Sequence, residues 1–90
     1  MNRTDLENKF KLAKKEKASF IGVLIKMPDY KDEEVIINSS SNFNKKLSYY
    51  METYNENLEH RFSKEIKIID CAFGDDFTSI AVQLGKQHIW

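Results

Sequence analysis

The fold that the sequence predicts is decided by residues 43–62, FNKKLSYYMETYNENLEHRF. Large side chains recur in this stretch at steps of three and four, a spacing that places them on one face of an α-helix. That face consists of Phe43, Leu47, Tyr50, Tyr54, Leu58 and Arg61, widened by Met51 and Phe62. The opposite side is polar, so we predict a long amphipathic helix from Phe43 to Phe62 that covers the rest of the fold.

Two strands are expected before this main helix. Residues 18–27 are apolar at both odd and even positions, which is typical of a central strand covered on both faces. Within this strand, Gly22 indicates a bulge or a close approach by a neighbouring backbone. The polar connection 29–34 leads to a short second strand at 35–38. So short a connection predicts an antiparallel hairpin.

The chain is expected to begin with a helix and to continue after the main helix with a third strand. The first helix spans residues 4–17, where Thr4 or Asp5 supplies the cap and Glu7 completes a capping box. The third strand spans residues 65–73. Strict alternation along this strand places Ile68 on one face and Cys71 on the other.

Residues 75–84 carry two competing patterns. Alternating β-branched side chains favour a strand. The spacing of Phe77, Ile80 and Leu84 favours a short helix, with Asp75 or Asp76 as its cap and Gly85 at its end. We favour the helix, because both ends carry the expected residues.

These elements predict an α+β fold in the order α-β-β-α-β-α, with the last element either helix or strand. The sheet is expected to have three antiparallel strands in the order 2-1-3, and the main helix crosses over from the second strand to the third. This helix covers one face of the sheet, and the first and last helices cover the other face or an edge. Ninety residues correspond to a single domain, 1–90, in which residues 85–90 form a tail.

Composition excludes several classes of protein. The formal net charge is zero and the isoelectric point is about 6.7, so the chain lacks the basic character of a dedicated nucleic-acid-binding protein. No apolar run approaches the roughly 20 residues that span a bilayer, and the N-terminus has no secretory signal. The single cysteine, Cys71, excludes an internal disulfide and indicates a reducing compartment. We therefore expect a cytoplasmic protein that does not interact with membranes.

Groups capable of catalysis are few and are explained by structural roles. Cys71 is expected to be a buried, inert thiol, although a pair with His60 or His88 is an alternative. The carboxylates at the end of the third strand are more simply explained as helix caps than as a cluster; they are Asp70, Asp75 and Asp76. The acidic loop does not match a calcium-binding loop, and no phosphate-binding or nucleophile motif is present. We expect no enzyme, no metal and no cofactor.

The favoured functional surface is the outer side of the main helix. Tyr49, Thr53, Glu56 and His60 form a row at helical spacing, and a large aromatic on a polar face is a suitable interface anchor. Tyr30, in the connecting loop, is expected to add a second aromatic contact. The alternative is that Tyr49 is an isolated surface tyrosine without a role. The row predicts a protein partner or a homodimer.

Two further functions stay open. Basic side chains on one flank of the first helix suggest weak nucleic-acid binding, or else a solvated helix end; they are Lys11, Lys14 and Lys15. A small-molecule pocket is expected beside Gly22 or near Asp70 and Asp75 if the protein is a ligand-binding module.

Several segments resemble a group of small uncharacterised proteins. The segments are Ile36–Asn38, Asn42–Tyr50, Tyr54–Leu58, Ile66–Ile68 and Phe73–Phe77. The group is encoded in prophages and conjugative elements of low-GC Gram-positive bacteria, and the similarity covers residues 18–84. No activity is attached to the group, so the resemblance implies no functional residues. It implies an accessory protein of a mobile element that acts by binding a host or defence protein.

Overall fold

The computed structural model describes residues 1–28 and 33–85. Within these ranges the chain forms three α-helices, a short 3₁₀ turn and four strands. In chain order they are α1 (Arg3–Lys15), β1 (Phe20–Lys26), β2 (Glu34–Ser39), the 3₁₀ turn (Ser40–Asn42), α2 (Phe43–Thr53), β3 (Glu59–His60), β4 (Ser63–Gly74) and α3 (Phe77–Gln83). The α+β class is confirmed. The predicted count of three strands is wrong, because the described residues form a four-stranded sheet in the order β2-β1-β4-β3.

β1 is an interior strand, as its two-sided apolar pattern predicted, and β4 is the other interior strand. It pairs antiparallel with β2 on one side and with β4 on the other. Residues 21–25 of β1 are all buried. The predicted sheet order 2-1-3 is wrong, because the sheet has the order β2-β1-β4-β3. The predicted third strand corresponds to β4, and the strand β3, which was not predicted, lies beyond it.

The main helix ends at Thr53, nine residues before the predicted end at Phe62. Tyr54 already has extended backbone angles, and the Asn55 side chain then organises a turn. Its Oδ1 accepts hydrogen bonds from the backbone N–H groups of Asn57 at 2.9 Å and Glu59 at 3.0 Å. Asparagine side chains compete with a helix in this way by bonding to nearby backbone groups. The chain therefore turns back and enters β3.

Helical spacing after Thr53 is misleading because a turn satisfies it equally well. Tyr54 and Leu58 are both buried, as the periodicity required. Tyr54 reaches the core from extended backbone. Leu58 reaches it from the turn that follows, where its backbone is left-handed with φ of 60°. A spacing of four thus identified two core residues correctly but assigned them to the wrong element.

The first helix begins earlier than predicted. Its N-cap is Asn2, whose Oδ1 accepts from the Asp5 N–H at 2.9 Å, while the Asn2 N–H donates to the Asp5 carboxylate at 2.9 Å. This reciprocal pair forms the capping box, so the predicted box of Thr4 and Glu7 is wrong. At the other end, the Ala18 N–H donates to the carbonyl of Ala13. This Schellman closure places Lys17 at a left-handed φ of 56°.

α1 and α2 cover the same face of the sheet, contrary to the expectation that the first helix covers the other face or an edge. The apolar stripe of α1 packs into α2, and the ring of Phe10 lies edge-on to Phe43 at 6.1 Å and to Tyr50 at 6.2 Å. This larger core cluster contains Leu6, Phe10, Ala13, Ala18, Ile21, Val23, Ile25, Phe43, Tyr50, Tyr54, Leu58, Ile68 and Cys71. Within the described residues, α3 is the helix on the opposite face.

α3 is a helix, as its end residues predicted. The Asp76 carboxylate accepts from the Ser79 N–H at 2.7 Å, and Gly85 follows with a φ of 71°. Ile80 packs so close to β1 that a Cβ placed on Gly22 would lie 2.6 Å from its Cγ2. Gly22 therefore permits a close approach, as predicted, although the neighbour is a side chain rather than a backbone.

A β-bulge in β4 corrects the predicted alternation. Leu24 is paired with Asp70, but the next residue, Ile25, is paired with Ile68, which leaves Ile69 as the extra residue. A bulge shifts the alternation by one position. Ile68 and Cys71 consequently lie in the same core cluster, rather than on opposite faces.

Candidate protein-binding surface

The predicted row on the main helix is not one surface. Tyr49 and Thr53 lie on α2, but Glu56 belongs to the following turn and His60 to β3, because the helix ends at Thr53. Tyr30 lies outside the described residues. Two of these four residues border grooves: Glu56 lines a groove beside α1, and Tyr49 lines one between β2 and α2.

We call this groove the β2–α2 groove. It has a volume of about 230 Å³ and lies between the sheet and the first turns of α2. Its lining residues are Asn38, Asn42, Lys45, Lys46 and Tyr49. Asn38 comes from β2, and the others come from the 3₁₀ turn and α2. Sequence reasoning missed Asn38, Asn42, Lys45 and Lys46, because no local spacing indicates that β2 and α2 meet here.

Tyr49 is held in place although 47% of its surface is exposed. Its ring centroid lies 5.5 Å from that of the buried Tyr50. Lys46 Nζ lies 4.8 Å from the Tyr49 ring centroid and 5.3 Å from that of Tyr50, within the range of a cation–π contact. Tyr49 is therefore positioned by its neighbours and presents a large aromatic surface to the groove.

Hydrogen-bond donors and positive charge dominate this groove. Within the described ranges, neither Lys45 nor Lys46 forms an ion pair with a carboxylate. The first turn of α2 contains no acidic residue, and Asn42 makes no side-chain capping bond there. Asn38 Nδ2 is buried and has no hydrogen-bond partner among the described residues. The positive end of the helix dipole adds to the two lysines, so the groove favours acceptors and negative charge.

β2 forms an edge of the sheet next to this groove. The Ser40 N–H donates to the Ser19 carbonyl at 2.9 Å, so Ser19 and Ser40 are a hydrogen-bonded pair of the β1–β2 ladder. Hydrogen-bonded pairs alternate in an antiparallel ladder, so the backbone groups of Val35, Ile37 and Ser39 point away from β1. These three residues present backbone donors and acceptors along the free edge.

A second exposed aromatic lies at the tip of the β3–β4 hairpin. Phe62 is 91% exposed, although the helical pattern had assigned it to the covered face of the main helix. Its N–H donates to His60 Nδ1 at 3.1 Å, and the His60 ring lies 5.4 Å from that of Tyr54. The two residues of the turn, Arg61 and Phe62, both have negative φ, so the turn does not require glycine. The glycine-containing signature that usually predicts a hairpin is therefore absent from the sequence here.

A groove between α1 and the end of α2 is lined by groups that hold the fold together. It has a volume of about 620 Å³, and its lining residues are Asn2, Arg3, Thr4, Glu7, Met51, Glu56 and Asn57. Arg3 donates through Nη2 to the carbonyl of Met51 at 2.8 Å, and its N–H donates to the carbonyl of Glu56 at 3.0 Å. These bonds join α1 to the end of α2, which gives Arg3 a structural role.

The three lysines of the nucleic-acid alternative lie exposed on α1. Lys11 lies 3.8 Å from the Glu7 carboxylate, and Lys14 donates to Asn44 Oδ1 on α2. Lys14 also borders a groove of about 300 Å³ together with Lys17 and Ser40. The basic surface therefore extends from the end of α1 towards the start of α2.

The candidate catalytic groups occupy separate positions. Cys71 is buried in the core, and burial raises the pKa of its thiol to about 12. Asp70 accepts from the Cys71 N–H at 2.8 Å, while Asp75 accepts from the N–H and hydroxyl of Ser19 at 3.0 and 3.1 Å. Asp76 caps α3. No group of three or more potential metal ligands occurs among residues 1–28 and 33–85.

Comparison of the chain with protein-family models, with curated proteins and with solved structures finds no match. Across the described part of the chain, every helix is too short or too polar to cross a bilayer.

Proposed function

We propose that this protein is a non-catalytic binding protein that accepts an extended, acidic polypeptide segment along the free edge of β2. The observation that carries the proposal is the position of the β2–α2 groove directly beside that edge. A bound segment would gain backbone hydrogen bonds from β2 and side-chain contacts from α2 at the same time.

Backbone pairing supplies the first part of the binding energy. Val35, Ile37 and Ser39 present their N–H and C=O groups away from β1, so an added strand completes their hydrogen bonding. Addition of a strand to a free edge is a common way to recognise an extended peptide. Exposed edges also promote aggregation, and an edge without a bulge or proline is open to pairing.

Side chains of the α2 face supply the specificity. Alternate residues of a bound strand point towards the β2–α2 groove, where Tyr49 offers rigid contact area. Lys45 and Lys46 favour Asp or Glu at these positions, because they lack carboxylate partners within the described residues. Asn38 Nδ2 adds a buried donor that a bound acceptor satisfies.

The resemblance to proteins of prophages and conjugative elements supports a biological setting for this activity. In that setting the chain is an accessory protein of a phage or mobile element, and its partner is a host or defence protein in the cytoplasm. The acidic segment would then belong to that partner.

The test is selection from a library of displayed random peptides, followed by affinity measurements on purified variants. We expect enrichment of β-prone peptides that contain Asp or Glu at alternate positions. Tyr49→Ala should weaken their binding at least about tenfold, as for a central aromatic anchor, without lowering the melting temperature. Phe62→Ala is the matched control, since it removes an exposed aromatic remote from the groove. Loss of binding in the control but not in Tyr49→Ala would place the site at the hairpin tip.

A second candidate function is weak nucleic-acid binding, favoured by the basic surface that joins α1 to α2. Lys14 and Lys17 share a groove at the end of α1, close to the start of α2. Such binding should fall steeply as salt is raised. It should also be lost when Lys11, Lys14 and Lys15 are all replaced by Ala, and affinity that is insensitive to both changes would exclude it.

A further inference from the structure

We infer that the segment paired with β2 in solution is β2 of a second copy of this chain. The two strands run antiparallel about a two-fold axis at Ile37 and join the two sheets into one of eight strands. This inference rests on the proposed function, since it uses the same edge and the same groove.

The backbone geometry selects the register. Val35, Ile37 and Ser39 are the β2 residues whose backbone groups point away from β1. With the axis at the middle residue, Ile37 pairs with Ile37 of the second copy and Val35 pairs with Ser39. All three residues then have hydrogen-bonding partners in both copies.

The distribution of charge favours the antiparallel arrangement. Glu34 begins β2, whereas the end of β2 leads through the 3₁₀ turn into the basic first turn of α2. With the axis at Ile37, Glu34 of the second copy lies opposite Ser40, the first residue of the 3₁₀ turn that leads into α2. A two-fold interface requires one patch to complement itself, and here the acidic end of each strand meets the basic end of the other.

On the α2 face of the pair, a carboxylate of each copy comes close to the basic groove of the other. Glu34 is the register partner of Ile25, which is buried in the larger core cluster, so the Glu34 side chain lies on the α2 face. Glu34 of the second copy therefore approaches Lys45 and the uncapped start of α2. Ile36 of the second copy falls opposite Asn38, which lines the groove together with Tyr49.

The opposite face of the pair is apolar. Ile37 and Val35 are partly buried and pack against the smaller cluster under α3. Pairing places the two copies of Ile37 side by side, in a cross-strand contact that removes apolar surface from water. The interface therefore has a polar, charged side and an apolar side, as the two faces of β2 require.

The test is the mass of the full chain in solution, measured by light scattering over a range of concentrations. We expect twice the 10.6 kDa mass of the chain. Glu34→Lys and Lys45→Glu should each weaken the dimer about tenfold or more, because each places like charges together. The double variant should restore the dimer. Both positions are exposed, so the variants should fold, and circular dichroism checks this.

Hydrogen exchange provides a second measurement that is specific to the β2 edge. The amides of Val35, Ile37 and Ser39 should exchange more slowly as protein concentration rises. The amides of Ile36 and Asn38 serve as internal controls, because they already bond to β1. A dimer in which only other amides gain protection would overturn the inference.

The outcomes separate this inference from the proposed function. A chain that stays monomeric at millimolar concentration, yet binds acidic peptides through Tyr49, overturns the dimer and leaves the proposed function intact. A dimer that both single charge variants leave unchanged has its interface elsewhere, and this also overturns the inference. A dimer restored in the double variant supports it, whether or not any peptide is selected.

Discussion

The guanidinium of Arg3 donates through Nη2 to the carbonyl oxygen of Met51, 48 positions away in the sequence, at 2.8 Å. Arg61 donates through Nε to the carbonyl of Glu52 at 2.9 Å and through its N–H to that of Thr53 at 3.0 Å. The Tyr54 N–H bonds to Tyr50, so each of the last four carbonyls of α2 has a donor. The last four carbonyl groups of a helix have no partners inside the helix itself. Here the chain's two arginines, Arg3 and Arg61, donate hydrogen bonds to three of the four.

Arg3→Ala should lower the free energy of unfolding by about 1–3 kcal/mol, because a partly buried hydrogen bond from a charged donor is lost. Urea denaturation of the purified variant measures this. Lys15→Ala, an exposed change on the same helix, is the control and should stay within about 0.5 kcal/mol. Equal stability of the two variants would contradict the role given to Arg3.

Lys17→Gly should raise the stability of the protein by about 0.5–1 kcal/mol. Lys17 has a left-handed backbone with φ of 56° at the end of α1, a conformation that glycine adopts without steric strain. Thermal melting measures the change. Lys14→Gly is the control, since the same substitution inside the helix should lower the melting temperature. A lower melting temperature for Lys17→Gly would show that its side chain contributes more than its backbone costs.

Gly22→Ala should lower the free energy of unfolding by about 1–3 kcal/mol through overpacking. The added Cβ would lie 2.6 Å from Cγ2 of Ile80 and 3.3 Å from Cγ1 of Val35. Ile80→Ala removes the closest atom, so the double variant should be less destabilised than the sum of the two single variants. Additive effects in this double-mutant cycle would mean that the clash is relieved by movement of α3.

Cys71 should make the protein less stable at alkaline pH. Burial raises the pKa of its thiol from the ordinary 9.0 to about 12. Above about pH 9 the unfolded chain loses this proton while the folded chain keeps it, so stability falls between about pH 9 and 12. Burial also raises the pKa values of Tyr50 and Tyr54, which act in the same direction.

Thermal melting of the native protein and of Cys71→Ala between pH 8 and 11 separates these contributions. The variant should be less stable at pH 8, because a buried side chain is truncated, but its stability should fall less steeply with pH. Thiol labelling at pH 8 gives a second measurement, in which the folded protein should react only after denaturant is added. Rapid labelling without denaturant would contradict the burial of Cys71.

Some structural signals in the sequence are local to one element, whereas others depend on contacts between elements. β1 was identified as an interior strand from apolar residues on both faces, and α3 was identified from Asp76 and Gly85 at its ends. These signals are local and act within one element. The end of α2 was misplaced because Tyr54 and Leu58 keep helical spacing while Asn55 and Arg61 stabilise a turn. Those bonds form only when the turn is already in place.

By itself, the sequence determined which side chains of each element are apolar. Most of those predicted for the covered face of the main helix, among them Tyr50 and Leu58, do enter the core, whereas Phe62 is exposed. Tyr49 was singled out in this way as a large aromatic on a polar side of the main helix. Only the tertiary structure decided that Asn38 of β2 lies beside it and that no other strand of the described residues pairs with the outer edge of β2. The physical reason is that periodicity is set by the geometry of one helix or strand. The meeting of two elements depends on how all of them pack together.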